Sequence, residues 1–292
     1  MTASATHTTV GAALTGTAAR LAAAGCVSAR AEARWLVEEA LAPPTRGASA
    51  LALGRREPLP PEAAARLDEM VARRVAGEPL QYVIGWAPFG PLRIEVGPGV
   101  FVPRPETELL AERAATHLRA APAPRVAVDL CTGSGAIACF LAEAVPGVRL
   151  LATEVDAGAL AWARRNVRGR RVELLAGDLD EPLPPALRSS ANVLVANVPY
   201  VPSGAVPLLP HDVREHEPRL ALDGGPDGLD VLRRVVARAG HWLAPGGWLV
   251  CEIGDGQGDP VAGLLAEAGL AQVAVRPDLT GRERMAEGRR PR

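Results

Sequence analysis

RVAVDLCTGSGAIA, residues 125–138, decides the fold. Its first half, Val126 to Leu130, is an apolar run interrupted by Asp129, the pattern of a strand buried on both faces. Its second half carries Gly133, Gly135 and Ala138 at the G-x-G-x-x-G/A spacing of a turn from strand into helix, here a helix around Ala136 to Ala144. Outward from it the periods keep alternating. RLLATE (149–154), VELLAGD (172–178), VLVAN (193–197), WLVCEI (248–253) and QVAVR (272–276) read as strands. ALAWARRNV (159–167), GLDVLRRVVARAGHWL (228–243) and one further segment before QVAVR read as helices. Strands alternating with helices imply an α/β domain, a Rossmann-like, mostly parallel open sheet with helices on both faces. An Ala/Pro stretch, 120–124, separates it from a helix over 106–119.

Upstream, the pattern is helical. An apolar set through Leu14, Leu21 and Ala22 stops at Gly25, and a second holds Trp35, Leu36 and Leu41 before Pro43-Pro44. After a loose Ala/Gly/Arg stretch, PPEAAARLDEMVARRVAGEP (60–79) puts Leu67, Met70, Val71 and Val75 on one face and ends at Gly77. In QYVIGWAPFGPLRIEV (81–96), Leu92, Ile94 and Val96 alternate with Arg93 and Glu95 behind a Pro/Gly turn, which predicts a β-hairpin bridging two domains. The expected division is a small helical domain over 1–77, a hairpin linker over 78–104 and the sheet domain over 105–292.

Composition bounds the function. With 292 residues, 48% hydrophobic and 22% charged, the chain is globular and long enough for a large domain plus a small one. Its net charge is −1 and it contains no lysine, so nothing draws it as a whole to a phosphate backbone. No direct nucleic-acid contact is expected. Residues 1–10 lack a basic-then-apolar leader and no stretch of 18 uncharged apolar residues occurs, so no membrane association and a cytoplasmic, monomeric protein are expected. Four cysteines without a C-x-x-C pair read as reduced, mostly buried thiols. The five histidines have no metal-ligand spacing, so no metal is expected; His211 and His216 read as part of a solvated loop, and Arg233, Arg234 and Arg238 as the wet face of a helix.

The glycine turn lets a ligand approach the N–H groups at a helix N-terminus, and Glu154 ends the next strand where a carboxylate accepts hydrogen bonds from ribose hydroxyls. Asp178 ends the third strand, where an adenine amino group would lie. An adenosine-containing cofactor follows. Asp129 would place an anion near a dinucleotide's pyrophosphate, whereas a cationic methyl donor tolerates it, so S-adenosyl-L-methionine is favoured over NAD. The fourth strand runs into Asn197-Val198-Pro199-Tyr200. An amide or aromatic amino nitrogen is a poor nucleophile because its lone pair is delocalised, so a site methylating it must hold the NH2 in place. The Asn197 side-chain oxygen and the Val198 carbonyl can each accept one N–H while Tyr200 packs on the planar group.

Together AGEPLQYVIG, FVPRPETELL, VAVDLCTGSGAIA, VANVPYVP, HEPRLALDGGPDGLDVL and LAPGGWLVCEIG resemble the protein-(glutamine-N5) methyltransferases that modify the GGQ glutamine of peptide chain release factors, over roughly residues 77–257. The resemblance implies that Thr132, Gly133, Ser134, Gly135 and Glu154 hold the donor, with Asp129 beside them. It places Asp178 and Leu179 on the adenine side, and many members have an aromatic where Leu179 stands. It implies that Asn197, Pro199 and Tyr200 grip the glutamine amide together with the Val198 carbonyl. It puts the RPETE segment, with Arg104, Pro105 and Glu106, beside the substrate entrance, and makes Glu217-Pro218 and the Gly224-Gly225 turn supports of the catalytic loop. Val198 stands where the family pattern has proline, which removes a fixed φ and adds an N–H. Two other substrates therefore remain open: another protein glutamine or a small amide, and an adenine amino group in nucleic acid, which uses the same Asn/Asp-Pro-Pro-aromatic logic.

Overall fold

A computed structural model of the protein describes residues 8–41 and 54–292. The Pro43-Pro44 stop, much of the loose stretch after it and residues 1–7 lie outside the described residues. The chain forms two compact units, Met1–Gly85 and Trp86–Arg292.

In the first unit lie α1 (Val10–Ala23), α2 (Ala29–Leu41), α3 (Pro61–Val75) and α4 (Leu80–Ile84). Thr9 caps α1 by accepting the Ala12 N–H at 3.2 Å, and Gly25 leaves it at φ +83°. Along α3, Ala63, Leu67 and Val71 are buried, while Val75, expected on that face, is 42% exposed. Steps of four residues drift about 40° round a 3.6-residue helix, which carries the fourth position off the buried stripe. Arg74 ties α3 to α2 through a 2.6 Å ion pair with Glu32. Of the expected linker 78–104, residues 78–85 belong to this unit and contain α4, which the sequence pattern did not suggest.

The hairpin itself, β1 (Trp86–Phe89) paired antiparallel with β2 (Leu92–Glu95), belongs to the second unit. There follow α5 (Pro105–Ala120), β3 (Val126–Leu130), α6 (Ala136–Ala144), β4 (Arg149–Glu154), α7 (Ala157–Asn166), β5 (Val172–Ala176) and β6 (Ala191–Ala196). After β6 come α8 (His211–His216), α9 (Asp230–Trp242), β7 (Leu243–Glu252), α10 (Gly258–Glu267), β8 (Ala271–Pro277) and β9 (Glu283–Arg289). The expected solvated loop around His211 and His216 is the short helix α8, none of whose residues is buried.

Seven strands form one sheet in the order β5-β4-β3-β6-β7-β9-β8, parallel from β5 to β7 and antiparallel at β9. The chain builds outward from β3 to β5, then returns to the other side of β3 with β6. The switch point therefore lies between the carboxyl ends of β3 and β6, where open α/β sheets bind ligands. All five residues of β3 are buried, as a central parallel strand requires. Two of the cysteines, Cys139 and Cys251, are buried.

Candidate active site

Beyond Leu130 the chain turns through Cys131 at φ +57°, Gly133 at +57° and Gly135 at +80° into α6. Gly135 has no side chain to cap that helix, and Asp129 supplies the cap from beneath. Its Oδ2 accepts the Ala138 N–H at 3.1 Å and the Thr132 hydroxyl at 2.5 Å. Burial pushes the Asp129 carboxyl up to about 7. Asp129 thus braces the loop under the cavity and does not line it.

Glu154, at the end of β4, accepts the Gly133 N–H at 2.8 Å on one oxygen and the Asp156 N–H at 2.9 Å on the other. Its burial raises the carboxyl above its ordinary value. The carboxylate also lines the cavity, where the expected ribose contact would be made. Asp178 is bonded by Arg234 of α9 at 2.7 Å. The three arginines expected on a wet face are indeed exposed, yet each holds a carboxylate: Arg233 holds Asp227, Arg234 holds Asp178 and Arg238 holds Asp180.

These elements enclose a cavity of about 290 Å³ at the switch point. Of the expected residues, Thr132, Gly133, Ser134, Glu154, Asp178, Leu179, Asn197, Pro199 and Tyr200 line it, whereas Asp129, Gly135, Val198, Arg104, Pro105 and Glu106 do not. The Val198 side chain is 1% exposed and packs in the hydrophobic cluster under the sheet edge. Arg104 lies over the Phe101 ring, 4.7 Å from its centroid, and donates to Glu217 at 2.5 Å, so it fastens its segment. From that segment Phe101, Pro103 and Thr107 reach the cavity.

Sequence reasoning missed Thr107, Glu252 and Gln257. Asn197 Nδ2 donates to Thr107 Oγ1 at 3.2 Å, Thr107 donates to Glu252 Oε2 at 2.7 Å, and the Tyr200 hydroxyl donates to Glu252 Oε1 at 3.2 Å. Burial pushes Tyr200 well above its ordinary value, so its hydroxyl stays a donor. Gln257 Nε2 donates to the Tyr200 carbonyl at 3.0 Å. Gly224 supports the same loop: its N–H bonds the Val201 carbonyl at 2.9 Å, and a Cβ there would stand 2.5 Å from the Pro199 carbonyl oxygen. A signal for Glu252 was available, since it is a carboxylate ending the strand next to the one that carries Asn197.

The cavity suits an adenosine-containing cation: a glycine turn open to it, the carboxylate of Glu154 with no cationic partner among the described residues, and apolar walls from Ile137, Leu179 and Val231.

Comparison with known proteins bears on this site. The PrmC N-terminal domain family matches residues 12–85 and the methyltransferase small domain family residues 93–208. The chain is 42% identical over 274 residues to a release factor glutamine methyltransferase of Mycolicibacterium smegmatis, covering 93% of this chain and 94% of that one. The chain belongs to the release factor glutamine methyltransferase family. A second member of the family, from Geobacter sulfurreducens, is 40% identical over 271 residues, 92% of each chain. The crystal structure of a methyltransferase from Pyrococcus furiosus shares the fold at 18% identity and a TM-score of 0.50, covering 78% of this chain and 98% of that one. Membership of the family agrees with the sequence resemblance, and it extends into the helical unit, where the sequence motifs alone did not reach.

Proposed function

We propose that this protein transfers a methyl group from S-adenosyl-L-methionine to the side-chain amide nitrogen of the GGQ glutamine in peptide chain release factors. The observation that carries the reading is Asn197 at the switch-point cavity, its amide held by Thr107, in a chain 42% identical to a release factor glutamine methyltransferase along nearly its whole length. Thr132, Gly133, Ser134 and Glu154 would hold the donor, with Asp178 and Leu179 on its adenine side. The donor supplies an electrophilic methyl group on a sulfonium.

The protein's part is orientation. Thr107 spends its only proton on Glu252, so the Asn197 atom facing it must be a donor, Nδ2. The Asn197 Oδ1 is then left to accept one N–H of the glutamine amide, and the backbone carbonyl of Val198, whose side chain stands outside the cavity wall, would accept the other. Tyr200 and Pro199 flank the planar group. Two acceptors on one NH2 fix its plane and aim the lone pair, and the approach needs no strong base because the proton is lost after transfer. Arg104, Pro105 and Glu106 would border the substrate's approach, with Arg104 holding the segment in place.

The reading includes a cytoplasmic, monomeric protein making no direct contact with nucleic acid, which the net charge of −1 supports. No helix of the described residues is long and apolar enough to cross a membrane. The test is incubation with labelled donor and a recombinant release factor, with the label mapped by peptide mass spectrometry. Label on the GGQ glutamine is the expected result; donor binding without label on the release factor would mean a different amide substrate.

A further inference from the structure

Glu252 has no contact with the cavity, yet the two side chains that border the expected amide position both end on it. One oxygen takes the hydroxyl of Thr107, which orients Asn197, and the other takes the hydroxyl of Tyr200. The carboxylate is 2% exposed, at the carboxyl end of β7 beside β6, while Thr107 comes from the first turn of α5 and Tyr200 from the loop after β6. Three separate elements thus meet on one buried group.

We propose that Glu252 is the positioning residue of the reaction: as an acceptor on both oxygens, it sets the direction of the Thr107 proton, hence the orientation of the Asn197 amide, and holds Tyr200 at the same time. The inference rests on the methylation reading above. Its logic is that of a one-proton relay of orientation. A carboxylate can only accept, so Thr107 must donate to it and must accept from Asn197, which exposes Oδ1 and not Nδ2 to the substrate. An amide at 252 breaks that rule, because its NH2 has to face one of the two hydroxyls. Facing Thr107, it would turn the threonine proton onto Asn197 and invite the flipped amide, presenting Nδ2 to a substrate NH2. Facing Tyr200, it would release the phenol. Arg284 and Glu106 also act on this carboxylate, the first favouring and the second opposing its charge.

The pattern of variants separates this from a merely structural role. Glu252→Gln is nearly isosteric and should keep the melting temperature and the donor Kd while lowering kcat about 10²-fold, the scale of a misoriented reacting group. Thr107→Val should do the same, and Thr107→Ser, which keeps the hydroxyl, should restore most of the rate. The double variant Glu252→Gln/Thr107→Val should be no slower than either single one, since both break the same chain. Independently of any substrate, the Asn197 side-chain amide signals in a 15N NMR spectrum should move in Glu252→Gln. Wild-type kcat in Glu252→Gln, a Thr107→Val that matches wild type, or unmoved Asn197 signals would overturn the proposal. A loss of rate that tracks a loss of donor binding or of folded protein would do so too. Should the wild-type protein leave release factors unlabelled, the substrate reading is what falls, and the NMR comparison still decides the role of Glu252.

Discussion

Arg104 and Glu217, 113 positions apart in the chain, form a 2.5 Å ion pair in which the carboxylate side chain is only 1% exposed. The second oxygen of Glu217 accepts the Val102 N–H at 3.3 Å, so one residue fastens the segment leading into α5 on both sides of Pro103. Removing it leaves a partly buried guanidinium and a buried N–H without an acceptor. Glu217→Ala should destabilise the protein by about 1–3 kcal/mol in urea unfolding. Because Thr107 follows on the same helix, kcat should fall with it while donor affinity changes little.

Donor binding and transfer should separate by mutation. Glu154→Ala removes the acceptor that holds the Gly133 and Asp156 N–H groups and lines the cavity proposed for the donor. Losing charge-assisted hydrogen bonds of this kind costs about 1.5–3 kcal/mol, roughly a 10- to 100-fold rise in donor Kd by calorimetry. Asn197→Ala should bind the donor as wild type does and lose transfer by about 10²-fold or more. Intact transfer in Asn197→Ala would sink the mechanism.

How much of this was readable beforehand follows from the range of the interactions. The β3 turn and α6 were legible because an apolar run and three small residues at fixed spacing are local signals. The strand β9, ERMAEGR, was not, since it alternates charges and has no apolar face in the sequence. Its Glu287 is 1% exposed because Arg113, His117 and Arg276 converge on it from α5 and β8. That compensation is invisible until the chain is folded. The same holds in the site: Asn197 was legible from the residues beside it, whereas Thr107 bonds it across 90 positions and is itself joined to Glu252 across 145. In RPETE the charged residues are what stands out in the sequence, whereas it is the threonine among them, Thr107, that reaches the cavity.

Gly224, in the turn after α8, contrasts with Gly133 in the loop after β3. A Cβ at Gly224 would stand 2.5 Å from the Pro199 carbonyl oxygen and 2.6 Å from that of Gly228, both backbone atoms that cannot swing aside. Gly224→Ala should therefore push the Asn197–Tyr200 loop, lowering kcat at least about 10-fold and stability by about 1–3 kcal/mol. Gly133 has nothing within 4 Å of a Cβ but lies at φ +57°, in the wall of the cavity. Gly133→Ala should cost about 1–2 kcal/mol in backbone strain and should weaken donor binding more than it slows transfer. Equal effects of the two variants on donor Kd would contradict this assignment of the loops.

Activity and stability should respond to pH in opposite directions. Burial pushes Glu252 up to about 7, against the hydrogen bonds of Thr107 and Tyr200 and the charge of Arg284. A protonated Glu252 carries its own O–H and can no longer accept from both hydroxyls, so kcat should rise as pH passes upward through about 7. For folding the sign reverses. Asp129 and Glu252 are both about 7 in the native protein, against 3.8 and 4.5 for the free groups. Between those values the folded state holds more protons than the unfolded one, and its stability falls as pH rises. Glu287 works the other way: burial alone would raise it, but His117, Arg113 and Arg276 hold it far below 4.5, so its contribution is present above that value and is lost as pH falls further. The donor-free protein should melt highest at roughly pH 5 and lower at roughly pH 8, where it turns over faster. A melting temperature that climbs steadily to pH 8 would mean that Glu252 and Asp129 do not stay protonated in the folded state, and that the rise in kcat near 7 has another source.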